Sequence, residues 1–314
     1  MRNNIIVALL IIVLLSIVLL CGCLFSGTSA LPALTPSSAV SSVQLSDYML
    51  NLINKDRTDN GLAAVTLGNN TAAKDHAVDM IANYYLSHWG TDGLKPYMRY
   101  TLAGGINYEA ENSAYHGWYD TSQDPDRYIT IDPEEVLKQL QYNMMFDDAD
   151  SNWGHRDAIL NKLSKKVNIG IVYDKHRLAL VQQFEGDYVN FTNLPAIVNG
   201  SLYLTGSLSL GQLYSLHIYY DPLPQSLTQQ QLLDKPHSYD LGEEIGYVLP
   251  PKYYMDDKEY VTASKWTVDI SGSFAIGADV SHLLKYKTGV YNISLISSID
   301  GKLTALSNYS IFIR

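Results

Sequence analysis

The apolar residues of this 314-residue chain change their spacing once along its length, and that change restricts the fold more than any other feature. Up to about residue 144 they recur at helical intervals. Met49, Leu52 and Ile53 follow Ser46, a residue type suited to a helix N-cap, and Gly61 ends the run. Ala73, Ala77, Met80, Ile81 and Tyr84 make the inner stripe of a second helix over about 71–85, on which His76, beside Asp75 and Asp79, reads as a solvated-face residue. Residues 94–103 predict a short helix closed by Gly104 and Gly105. Asp132-Pro133-Glu134-Glu135 opens another, with Asp132 as cap, proline in the first turn and Glu135 completing a capping box; Val136, Leu137, Leu140 and Met144 then face inward. Beyond that point the period becomes two. Asn168–Tyr173 and Arg177–Phe184 are β-runs separated by Asp174 and Lys175, which predicts a hairpin. Helices followed by strands imply an α+β, layered domain.

From about Asn190 every apolar run alternates with polar residues: SLYLTG, QLYSLHIYY, YVTASKWTVDI, GVYNISLIS and NYSIFI, with turn residues between them. An all-β, sandwich-like domain is expected. The domains are therefore placed at 45–187 and 195–314, with an exposed, protease-sensitive joint over Gly186–Pro195. Five sequons, at Asn69, Asn190, Asn199, Asn292 and Asn308, suit a glycosylated surface protein.

The N-terminus is of a different kind. Residues 1–25 contain an uncharged apolar run from Ile5 to Phe25, about the 20 residues that a bilayer span requires, read as a signal peptide or a retained membrane anchor. Leu20-Cys21-Gly22-Cys23 resembles a lipobox with Cys23 as the lipidated residue; otherwise both cysteines are apolar residues of a membrane helix. Residues 26–44 are rich in Ser, Thr, Ala and Pro and read as a tether. Cys21 and Cys23 are the only cysteines, so the body holds no disulfide, cysteine metal site or catalytic thiol. A net charge of -10 without a basic stripe argues against a nucleic-acid partner.

Three islands in 51–161 place ionisable residues among Gly, Ser and aromatics, as functional loops do: SHWGTDGLKPYMR around His88, YEAEN ending at Glu111 and Asn112, and NWGHRDAILN around His155. Histidine with carboxylate can hold a divalent metal or move a proton near neutral pH. Trp89 and Trp153 read as packing beside the histidines, and Arg156 as the partner of a carboxylate. Tyr115 and His116 read as rim residues, and His176, His217, His237 and His282 as surface or edge positions. The chain has neither a G-x-S-x-G elbow nor an H-E-x-x-H helix, and Ser87 and Ser113 are neighbours of the islands in sequence only. A metal-held water with Glu111 as base is the one hydrolytic route these residues offer.

In order, LINKDRTDNGLAAV, HAVDMIANYYLSHWGTDG, the AEN triplet, EEVLKQL, GHRDAILN and the NIGIVY strand resemble the cysteine-poor prokaryotic branch of the CAP superfamily of cysteine-rich secretory, antigen-five and pathogenesis-related proteins. The resemblance covers about Leu45 to Phe184. It implies a CAP α-β-α sandwich whose cleft is lined by His88, Glu111 and His155, with Ala110 where the family has glycine. It implies a fourth acidic corner, for which Gln141, Asn143, Asp147 and Asp148 are the local candidates. It also implies a divalent metal, zinc foremost, held by His88 and His155. The expected function is a membrane-tethered extracellular protein binding metal and a small-molecule, lipid or peptide ligand. The alternatives are a metal-assisted, peptidase-like hydrolase using the same cleft, or a structural or adhesive envelope protein with a vestigial one.

Overall fold

The structure is a computed structural model that describes residues 42–117 and 129–314. The leader, Cys23 and most of the tether lie outside the described residues. Among the described residues no helix is long and apolar enough to cross a membrane.

The first half is a three-layer sandwich. Strands β1 (Thr66–Leu67), β2 (Glu109–His116), β3 (Lys166–Tyr173) and β4 (Leu178–Glu185) form a sheet in the order β1-β3-β4-β2, parallel only between β1 and β3. One face is covered by α1 (Ser42–Asp59) and α4 (Pro133–Phe146): Leu45, Met49, Ile53, Leu137 and Met145 bury against Leu178, Leu180 and Phe184. The other face carries α2 (Ala72–Asn83), whose Ala73, Ala77, Met80 and Ile81 pack on Ala179 and Val181. Small residues let this helix lie close, since a Cβ at Gly170 would come within 2.1 Å of the Ala73 carbonyl oxygen. The short helices α3 (Pro96–Leu102) and α5 (Gly154–Ile159) flank the edge strand β2.

Asp132 caps α4 by accepting from the Glu134 and Glu135 amides, as its sequence signature predicts. Ser46 does not cap α1: it lies inside the helix and its hydroxyl donates to the Ser42 carbonyl at 3.0 Å. His76 is not solvated. It is 1% exposed, because the buried stripe of α2 runs Ala72, Ala73, His76, Ala77, Met80, Ile81 and places the imidazole over the sheet edge. His176 is likewise buried, its Nδ1 facing the Ile129 carbonyl.

The second half is a β-sandwich. A four-stranded sheet, β10-β11-β6-β5, packs on a five-stranded one, β13-β12-β7-β8-β9. Here β5 is Val189–Val198, β6 Ser201–Leu208, β7 Gln212–Asp221, β8 Glu243–Leu249, β9 Tyr260–Thr262, β10 Lys265–Val268, β11 Ser273–Asp279, β12 Gly289–Ile299 and β13 Lys302–Ile313. Alternation sets the core: Leu202, Leu204, Phe274 and Ile276 from one sheet meet Leu216, Ile218, Tyr291, Ile293 and Leu295 from the other.

The expected joint is itself a strand. Only Gly186, Asp187 and Tyr188 separate β4 from β5, and Asn107 closes the connection by accepting from the Tyr188 and Val189 amides. The described residues of both halves fall in one compact unit. The outer face of β12 and β13 explains part of this. Val290 and Phe312 pack on Tyr97 and Met98, and Thr101 accepts from the Ser310 amide. Asn292 and Asn308 lie on that covered face and are each 1% exposed, so they are not glycan acceptors in the folded protein, whereas Asn69, Asn190 and Asn199 are exposed. Expression in a glycosylating host is expected to modify at most those three sites, read by mass spectrometry before and after glycosidase; a glycan on Asn292 or Asn308 in soluble protein would contradict the packing of β12 and β13.

Candidate functional site

The three islands converge on β2, the edge strand, whose successive side chains point to opposite faces. Glu111 faces the α2 side and Asn112 the α4 side, so the site has two halves.

On the α2 side the Glu111 carboxylate is fully buried and fully engaged. Arg99, on the first turns of α3, donates from Nη2 to Oε1 at 3.1 Å and to Oε2 at 2.8 Å. His88 Nδ1 lies 3.0 Å from Oε1. Burial alone would raise the Glu111 pKa, but the Arg99 charge, with His76 and His88 behind it, holds it down at about 2. An ionised carboxylate only accepts, so Nδ1 of His88 carries the proton and its Nε2 is the free nitrogen. Arg99 also donates to the carbonyls of His88 and Leu94, at 2.9 and 2.7 Å, and so shapes the loop that carries His88. Below this group His76 donates from Nε2 to the Ser87 carbonyl at 2.8 Å; burial and the nearby Arg99 charge push its pKa down to about 4, which keeps it neutral. Glu109, two residues along the same face, feels the Arg99 charge but is not the carboxylate that Arg99 bonds. Its burial and the neighbouring Glu111 charge raise its pKa to about 8.

On the α4 side His155 opens the helix α5. Asp148 organises it. Oδ2 accepts the amides of His155 and Arg156 at 3.0 and 3.1 Å, and Oδ1 lies 2.6 Å from Nδ1 of the imidazole. Consecutive left-handed residues, Asn152 (φ 52°) and Trp153 (φ 63°), bring the chain round so that one aspartate reaches all three groups. Asn112 donates to the His155 carbonyl at 3.0 Å and continues into a buried amide chain through Gln182 and Gln141 to Asp56. Of the candidates for the acidic corner, Asp148, 2% exposed, is the one that bonds His155, while Gln141 is a link in that chain. Trp153 is 40% exposed, and the Arg156 guanidinium lies over its ring at 5.6 Å, in place of the carboxylate pairing expected from sequence. His116, His237 and His282 are exposed as expected.

The structure thus joins His88 directly to Glu111 and gives His155 a separate carboxylate. Each imidazole has its Nδ1 fixed, the arrangement that turns Nε2 toward a ligand or proton. The set His88, Glu111 and His155 does not fit a single metal site. Both Glu111 oxygens are occupied by Arg99 and His88, and a fixed guanidinium charge beside them opposes a second cation. Among the described residues no three His, Cys, Asp or Glu side chains group as a ligand set. Among the described residues no serine hydroxyl bonds either imidazole.

Sequence reasoning missed Arg99 and Tyr239. The pairing of Arg99 was accessible in principle, because a buried Glu111 requires a cation. Tyr239 could not be found: it comes from the second domain, 128 positions from the Glu111 amide that donates to its hydroxyl at 2.9 Å, and its ring lies 4.8 Å from that of His88.

The family model described as "Cysteine-rich secretory protein family", CAP, matches residues 50–184. Among solved structures, the CAP domain of Enterococcal PrgA matches at 18% identity over 48% of this chain, with a TM-score of 0.31. The match spans 64% of that structure's chain, a little less than two thirds. No match was found among the curated proteins.

Proposed function

Residues 50–184 belong to the CAP family, and on that premise we propose that the chain is a membrane-tethered extracellular protein that binds a small or peptidic ligand in the CAP cleft, with His155 as the group that meets it. The observation that carries this reading is the His155–Asp148 pair. Its imidazole is oriented by a buried carboxylate at 2.6 Å, yet its side chain remains 23% exposed, against 9% for His88. A fixed ring nitrogen open to solvent is a hydrogen-bond and metal-donor atom with no internal use. The apolar run Ile5–Phe25 and the secretory family support export and tethering.

Zinc is the cation an open imidazole accommodates best, and because the set does not fit a shared site it would be held by Nε2 of His155 alone, with water or ligand at the other positions. Because Glu111 is held by Arg99, binding is expected to fall far short of the about 10–16 kcal/mol of a closed structural site. Calorimetry on the full-length protein decides this. His155→Ala is expected to abolish the zinc heat without unfolding the domain, since its ring lies in no hydrophobic cluster and its carbonyl still accepts from Asn112. Unchanged zinc binding in the His88→Ala, His155→Ala double variant removes the metal from the proposal. Screening peptides and small amphiphiles for binding that depends on His155, with product analysis, separates a binding protein from a hydrolase.

A further inference from the structure

The connection between β7 and β8, residues 222–242, leaves the sandwich and runs over the CAP domain on the α2 side. Its contacts are continuous. The Leu227 amide donates to the Thr91 carbonyl at 2.8 Å, and Gln229 donates to the Tyr84 carbonyl at 2.6 Å. Leu232, on the short helix α6 (Gln229–Leu233), is fully buried in the cluster of Ala73, Ala77, Met80 and Tyr85. Lys235 places its ammonium 5.2 Å from the Trp89 ring centre. Lys95 bonds Asp221, just before the segment, and Asp240, near its end, at 2.9 and 2.8 Å, and Tyr97 bonds Asp221 as well. Gly93 is needed for this approach. Its φ of 79° suits glycine, and a Cβ there would lie 2.2 Å from the Gln225 carbonyl oxygen.

The segment ends on the site. The Tyr239 ring packs on His88, and its hydroxyl accepts the amide of Glu111, a backbone donor of an edge strand that would otherwise face outward. An edge-strand amide and a carboxylate-oriented imidazole are groups a peptide ligand would use.

We propose that residues 222–242 are a cis-bound peptide occupying the His88 half of the CAP cleft, with Tyr239 as its anchor, and that this half receives tyrosine-bearing peptide segments when the strap lifts. The proposal rests on the reading of His88 as a cleft residue. It divides the cleft: His155 meets ligands directly, while His88 does so only by exchange with the strap.

Carbethoxylation by diethyl pyrocarbonate, followed by mass spectrometry of the full-length protein, reads imidazole access whether or not any ligand binds, so this inference and the proposed function fail separately. In the wild type His88 is expected to react at least about tenfold more slowly than His155. Tyr239→Ala is expected to bring the His88 rate to within about threefold of that of His155, and a synthetic peptide of residues 222–242 added in trans is expected to slow it again. Hydrogen exchange supplies a variant that keeps the packing: Tyr239→Phe retains the ring, so His88 stays protected while the Glu111 amide exchanges faster. Equal rates for the two histidines in the wild type overturn the proposal. So does a Tyr239→Ala variant in which His88 stays protected, or a trans peptide without effect on it.

Discussion

Replacing Arg99 by methionine is expected to lower the stability of the folded protein by about 3–5 kcal/mol, the usual cost of leaving a buried charge without its partner. Glu111 has no exposed side-chain surface, and Arg99 supplies two of the three hydrogen bonds its oxygens accept. The same guanidinium bonds two loop carbonyls, so the variant also frees the chain around His88. Lysine is expected to restore little, because a single ammonium cannot span a carboxylate and two carbonyls in one plane. Adding Glu111→Gln to Arg99→Met is expected to recover part of the loss, and the coupling is read from a double-mutant cycle in urea. A loss below about 1 kcal/mol for Arg99→Met would mean that the carboxylate is solvated in the folded state. The pH dependence follows from the depressed pKa of about 2. The unfolded chain binds this proton near pH 4.5 and the folded one does not. The stabilisation from the pair is therefore present above about pH 4.5 and is lost as the pH falls toward 2.

Glu109 is expected to act in the opposite direction, and its removal to stabilise the protein. It is buried, and burial with the Glu111 charge raises its pKa to about 8, which the nearby Arg99 charge and the Gln183 amide offset only in part. The folded protein keeps this proton across the neutral range while the unfolded chain releases it above about pH 4.5. Stability on this account is fully present below pH 4.5 and falls as the pH rises through 8. The shift from an ordinary carboxylate amounts to a loss on the order of 5 kcal/mol. Glu109→Gln removes the titrating group and keeps the shape. Its stability curve is expected to meet that of the wild type near pH 4, to lie above it by several kcal/mol at pH 8, and to be flatter between. Urea unfolding at intervals from pH 4 to 9 reads the difference directly. Parallel curves for the two proteins would show that Glu109 reaches water.

The two glutamates stand two residues apart on one strand face, yet Arg99 bonds only one of them. That contrast marks what sequence by itself determined here. The helical stripes of α1 and α2, the Asp132 cap of α4, the β3–β4 hairpin and the alternation of the sandwich strands are all local. Each arises because a side chain three, four or two positions away lies on the same face, so periodicity reports it. The three islands were legible for a related reason: glycine, serine and aromatic residues around a lone ionisable group mark a loop. Tertiary structure decided the rest. His76 carries acidic neighbours in sequence but lies buried, because its own position on the helix faces the sheet. Asp148, and not Asp147, meets His155 because two left-handed residues turn the chain between them. Asn292 and Asn308 lost their exposure to the packing of β12 and β13 on α3, and Tyr239 reached His88 from the far domain. These contacts join residues widely separated in the chain, where the geometry of one segment carries no trace of the other, and only the packing of whole layers brings them within hydrogen-bonding distance.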